Sequence, residues 1–216
     1  MRQDPWLSNI PSSWEQIPLK YLVTSDNSGI WGEEEGILER NIPVSTTAHI
    51  DKDGNLDFDE MPIRSISQSD YDHYRCIPGD IIVVKSSGSG SNIITGKSAL
   101  VLEGMPEFSF GNFLLRLRAK SEMNPGFLYS VISSGLTSER IRRMVSATTY
   151  PNLKVEEYME SLIPVPPLSE QEEIYKSILQ KVVKIDQAAT LLKEQLTLLG
   201  ELRQSTITSG VLGANK

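Results

Sequence analysis

The sequence predicts a mixed α/β (α+β) domain over residues 1–165, followed by one long C-terminal coiled-coil helix with a short tail over 166–216. Three observations carry this. Short β-branched and leucine-rich runs recur between glycine, proline and asparagine clusters. A proline block, Ile163-Pro-Val-Pro-Pro-Leu168, ends that pattern. Beyond it, apolar residues repeat at heptad spacing in a stretch free of proline.

Taken in order, Asp53-Gly54 supplies a hairpin-type turn between Thr46–Ile50 and Leu56–Phe58. Ile81–Val84, Ser98–Leu102 and Phe113–Leu117 read as strands. Phe127–Ile132 and Ser138–Val145 read as two short helices broken by Gly135. After Pro167, Ser169-Glu-Gln-Glu172 has the form of a capping box that opens a helix running to about Ser209. Ile178, Val182, Ile185, Ala189, Leu192, Leu196 and Leu199 alternate steps of four and three, a sustained heptad seam. A second stripe, Ala188, Leu191, Gln195, Leu198 and Leu202, widens the apolar face. A helix of this length cannot bury such a stripe on a domain of this size, so the pattern asks for a partner helix.

Composition excludes several classes. With 39% hydrophobic and 23% charged residues the chain reads as soluble and globular. Its one cysteine, Cys76, rules out an internal disulfide and a cysteine-cluster metal site, fits a reducing cytoplasm, and is expected to be a buried thiol. The N-terminal segment has no basic and apolar halves of a secretory signal, and no run is apolar enough for a membrane span. The net charge of −7 is unevenly placed: residues 1–62 carry −8, 63–154 carry +4 and 155–216 carry −3. The basic middle includes a knot at Arg140, Arg142 and Arg143, followed by Lys154.

Several motifs suggest chemistry and fail on spacing. Asp51 to Asp59 resembles a calcium loop, but loop positions 6 and 12 hold Leu56 and Pro62 where glycine and a bidentate glutamate are required. Ser91 to Ser98 is close to a phosphate-binding loop, yet Gly90 precedes Gly96 by six positions and a strand follows where the phosphate site needs a helix N-terminus. Gly88-Ser-Gly90 has Ile93 where a dinucleotide loop needs its third glycine. His49 and His73 lack metal-ligand spacing, so no metal site is expected. The adjacent prolines Pro166-Pro167 are headed by Val165 and end in Leu168, whereas an adenine methyltransferase loop is headed by Asn or Asp and ends in an aromatic residue. The chain is expected not to be an enzyme by itself.

Ile163-Pro-Val-Pro-Pro-Leu-Ser-Glu-Gln-Glu-Glu-Ile174 and the heptad helix ending in Leu202-Arg-Gln-Ser-Thr-Ile207 resemble the conserved region of type I restriction–modification specificity (S) subunits. Ser13-Trp14-Glu15 with Ile17-Pro-Leu19 is similar to the opening of their target recognition domains. Pro78-Gly-Asp80 with its strand and loop through Gly88, then Gly96-Lys97, and Thr148-Thr-Tyr-Pro-Asn152 resemble further elements of those domains. The usual subunit carries two recognition domains and two spacer helices paired as an antiparallel coiled coil, whereas one of each stands here. The resemblance therefore implies a half-size subunit that homodimerises through residues 170–209 and reads a two-part, inverted-repeat DNA site. It also implies a methyltransferase subunit carrying S-adenosylmethionine as partner, with a restriction subunit joining. No cofactor is expected in this chain itself.

On that reading the loop Lys85, Ser86, Ser87, Gly88, Ser89, Gly90, Ser91 and Asn92 suits DNA: small residues let amides reach phosphates, and Asn92 has the amide that pairs with adenine. Arg64, Lys97, Arg140, Arg142 and Arg143 are candidates for phosphate or guanine contacts. Tyr71, Tyr74 and Arg75 join aromatic and basic groups, and Tyr150, Asn152 and Lys154 precede the helix. Two other readings stay open at this point: a coiled-coil dimeriser with a ligand- or protein-binding head, and a nucleotide-binding enzyme using residues 91–98.

Overall fold

The computed structural model describes residues 10–51, 53–86, 94–134 and 152–213. The chain divides into two compact units, one up to Glu172 and one from Glu173.

Among the described residues the first unit holds three sheets. β1 (Glu15–Pro18) pairs antiparallel with β9 (Leu162–Val165), with Glu15 opposite Val165 and Pro18 opposite Leu162. The main sheet is antiparallel, in the order β2 (Val23–Asp26), β8 (Leu114–Ala119), β5 (Asp80–Val84), β6 (Ser98–Leu100). A third sheet orders β4 (Ile63–Ile66), β3 (Arg40–Ser45) and β7 (Ser109–Phe110), with β3 and β7 parallel. Every residue of β5 is buried, which is why Ile81–Val84 reads as a continuous apolar run and not as an alternating one. Ile82, Val84, Ala99, Phe108, Phe110 and Leu114 form the main core cluster.

The helices of this unit are short: α1 (Leu19–Leu22), α2 (Gln68–Tyr74), α3 (Pro125–Ser133) and α4 (Val155–Met159). Asn124 caps α3 by accepting the Phe127 amide at 2.9 Å, and Pro125 occupies the first turn, where a missing N–H costs nothing. The expected second helix at Ser138–Val145 lies outside the described residues.

Two ion pairs, each with one buried partner, hold the main sheet. Pro78-Gly79-Asp80 forms a turn with Gly79 at φ +92°, a conformation open to glycine. It places Asp80, fully buried, opposite Arg118 on β8. Arg118 donates to both Asp80 oxygens at 2.7 and 2.8 Å, and the Ile77 amide donates to the same carboxylate at 2.9 Å. Arg116, also buried, donates to Asp26 of β2 at 2.6 and 3.0 Å and to the carbonyls of His73 and Arg75. Buried charges persist only when paired in this way.

Two expectations need correction. Thr47–His49 is a 3-10 turn and not part of a strand. The Thr46 hydroxyl accepts the Ala48 amide and His49 Nδ1 accepts the Thr46 amide, local bonds that displace a ladder. Among the described residues the hairpin keeps the bridge of Ile50 to Leu56, with the Asp51 amide donating to the Asn55 carbonyl at 3.0 Å and the Asp57 amide to the His49 carbonyl at 2.9 Å. The Asp51 carboxylate accepts the amides of Asp53 and Asn55 and the Asn55 side chain, so this loop is closed by its own hydrogen bonds.

The second correction concerns the long helix, α5 (Leu168–Val211), of 44 residues and about 66 Å at 1.5 Å per residue. It starts one residue before Ser169. The Pro167 carbonyl accepts the Glu170 and Gln171 amides, so Ser169 lies inside the first turn and not at its cap. That first turn is anchored to the first unit. Gln171, with no exposed surface, donates to the carbonyls of Pro166 and Glu122 and accepts the Asn124 amide. Glu170 accepts the Trp14 indole N–H at 3.3 Å. The unit boundary therefore falls within the helix, a few residues after the 165/166 boundary expected from the prolines.

Candidate nucleic-acid interface

Five short segments meet at one end of the main sheet. Lys85 and Ser86 follow β5, and their amides both donate to the Phe113 carbonyl, at 2.9 and 3.3 Å. The Lys85 carbonyl accepts the Leu153 amide at 2.8 Å, and Ser86 bridges Asn152. Lys97 lies where β6 begins, with its carbonyl accepting the Val84 amide at 2.8 Å. The Lys85 ammonium donates to the Asn27 carbonyl, and the Ser28 hydroxyl lies 3.4 Å from Asn112 Oδ1. Residues 27–29, 85–86, 95–97, 111–113 and 152–154 contain three lysines and no aspartate or glutamate. Partial burial lowers the Lys85 ammonium pKa from its ordinary value. Lys154 forms a half-exposed pair with Glu157 at 2.8 Å.

The fold thus brings Lys85, Ser86, Lys97, Asn152 and Lys154 together. It places Arg64, Tyr74 and Arg75 elsewhere. Arg64, on β4, stacks over the Trp31 ring and donates to the carbonyls of Trp31 and Gly32. Tyr74 packs edge-on against Phe110 and His73. Arg75 covers the Tyr71 ring and pairs with Glu107 at 3.1 Å. Tyr71 donates its hydroxyl to Glu107 at 2.8 Å, and these two donors hold the Glu107 carboxyl below its ordinary range. Ser87, Ser89, Ser91, Asn92, Arg140, Arg142, Arg143 and Tyr150 lie outside the described residues.

The basic middle also proves less available than its sum of charges implies. Arg116 and Arg118 are taken up in pairs with Asp26 and Asp80. The sequence reading missed Asn27, Ser28 and Asn112 at the sheet end. It also placed Phe113 in a strand that begins at Leu114. Cys76 is buried, with its thiol pushed far up by burial. Among the described residues no group of three His, Cys, Asp or Glu side chains is arranged to hold a metal ion, and no helix is long and apolar enough to cross a membrane.

In the second unit the seam side chains are open to solvent. Val182, Ile185, Leu192, Leu196 and Leu199 are 44 to 69% exposed, and Ala189 is exposed with them. Ile178 is half-buried.

A model of the type I restriction modification DNA specificity domain matches residues 11–198. The chain belongs to this family. The specificity subunit of the type I restriction enzyme StySPI from Salmonella potsdam is 24% identical over 94% of this chain. That of EcoKI from Escherichia coli K12 is 25% identical over the same share. Each match covers 44% of the relative, so the chain spans less than half the length of these curated proteins. Among solved structures, a chain of a type I R-M system superposes with a TM-score of 0.60 at 20% identity, covering 89% of this chain and 45% of that one. The HsdS subunit from Thermoanaerobacter tengcongensis gives 0.54 at 16%, over 84% and 41%. These likenesses show the fold, a mixed α/β domain with a long C-terminal helix.

The family's marks acquire physical reasons here. The Trp14 and Glu170 segments touch directly, through the indole bond and the β1–β9 ladder. The glutamine of the Ser169-Glu-Gln171 run is the buried anchor of the helix start. The Gly79-Asp80 pair makes the turn and supplies the carboxylate that Arg118 requires.

Proposed function

We propose that this chain is a DNA-recognition subunit, reading double-stranded DNA through the end of the main sheet where Lys85, Ser86, Lys97, Asn152 and Lys154 converge. The observation that carries it is the convergence of three lysines, of which Lys154 is paired with Glu157, from five segments of an acidic chain that themselves hold no carboxylate. Lysines position phosphates, and asparagine side chains suit base edges. The chain supplies recognition and no catalysis. Adenine methylation belongs to a methyltransferase subunit carrying S-adenosylmethionine, and a restriction subunit joins that complex in the cytoplasm. A second copy of α5 covers the exposed seam, so two recognition domains read a two-part, inverted-repeat site.

Binding of the full chain to duplex DNA should weaken steeply with salt. Lys97→Ala and Lys154→Ala should each weaken it about equally on all sequences and reduce the slope of log K against log salt by about 1. Fluorescence anisotropy across a salt series measures this. Binding that is insensitive to salt and to both substitutions would contradict the interface.

A further inference from the structure

The lysine-bearing sheet end carries one feature that phosphate binding does not explain. Phe113 stands on the turn between β7 and β8 with 64% of its surface exposed, while Leu114, Leu115 and Leu117 after it are fully buried. The turn is rigidly held. Gly111 donates to the Ser45 carbonyl at 2.9 Å, Leu114 donates to Gly111 at 3.1 Å, and the Phe113 carbonyl takes the amides of Lys85 and Ser86. Two other aromatic side chains of the domain with comparable exposure are covered by cations: Lys20 lies over Tyr21 and Arg64 over Trp31. Among the described residues neither a ring nor a cation stacks on Phe113. Asn112 and Ser28 beside it supply polar groups, and Lys85 supplies charge.

We propose that Phe113 is a specificity-determining residue that contacts the 5-methyl group of a thymine in the DNA major groove. The proposal rests on the DNA-recognition reading and deepens it. A thymine methyl is the apolar feature of a base edge in that groove, and a phenyl ring is among the side chains suited to it. An apolar ring exposed in solution gains from that burial, whereas it gains nothing at a phosphate. The lysines around it fix its register on the duplex, and the hydrogen-bonded turn means that little backbone freedom is lost on binding.

The test uses the full chain and a pool of randomised DNA duplexes. Bound duplexes are selected and sequenced, and each thymine of the resulting consensus is then replaced by deoxyuridine, which lacks only the methyl. One thymine position should lose about fourfold in affinity on replacement, the worth of one buried methyl group. With Phe113→Ala the same replacement should change affinity by less than about 1.5-fold, while the affinity for uracil-containing DNA stays close to that of the unchanged protein. Equal uracil penalties in both proteins overturn the proposal and leave DNA recognition standing. The proposal also falls if Phe113→Ala weakens binding uniformly and 2-aminopurine reporters brighten only with the unchanged protein, since the ring then acts as a wedge between bases. Failure of the unchanged chain to select any sequence overturns the recognition reading itself.

Discussion

Leu192→Asp combined with Leu199→Asp is expected to convert a dimer into a monomer. Both side chains lie on the heptad seam of α5 and are 59 and 60% exposed in the single chain, so the monomer has no use for them. In a paired helix each leucine contributes about 1.5 to 3 kcal/mol by burial. Aspartate removes that contribution and adds a carboxylate without a partner to a closing apolar seam. The dissociation constant should rise at least a thousandfold, which sedimentation equilibrium measures directly. The thermal unfolding of the first unit should change little, because neither leucine belongs to its core. A dimer that survives both substitutions would place the contact elsewhere. An unchanged protein that is monomeric at high concentration would show that a second copy does not cover the seam.

Gln171→Ala is expected to cost about 3 kcal/mol of stability. The side chain is fully buried and satisfies the Asn124 amide and the carbonyls of Glu122 and Pro166 at 2.8 to 3.2 Å. Truncation leaves these groups without a partner, and a buried unsatisfied group costs about 1 to 3 kcal/mol. Chemical denaturation reads the loss as a lower midpoint with an unchanged slope. Glu172→Ala, one residue on and exposed, should stay within about 0.5 kcal/mol. A Gln171 variant as stable as that control would remove the glutamine from its role as anchor of the helix start.

The parts of this protein legible in its sequence are those dictated by local periodicity. The seam of α5 repeats at heptad spacing, and the prolines before it mark where it starts. β5 announces itself because Ile81–Val84, buried on both faces, is a continuous apolar run. What escaped notice depends on partners far away in the chain. Arg116 and Arg118 look like surface cations until β2 and β5 bring Asp26 and Asp80 beside them, 90 and 38 residues distant. The 3-10 turn at Thr47–His49 follows from one hydroxyl and one imidazole that outbid a strand-prone composition. Phe113 was indistinguishable from the leucines after it, because period alone does not say where a strand begins. Of the site, Lys85, Ser86, Lys97, Asn152 and Lys154 were legible individually. Their convergence was not, since it is made by the sheet register and by the Ser86–Asn152 bridge.

Two copies of this domain joined through α5 should direct methylation to a two-part DNA site. Co-expression of the full chain with a type I methyltransferase subunit, followed by genome-wide mapping of methylated adenines, tests it most directly. Methylation is expected at an inverted repeat interrupted by a spacer of fixed length, and is expected to be lost with Leu192→Asp and Leu199→Asp. Methylation at an asymmetric, uninterrupted motif that persists in that variant would contradict it.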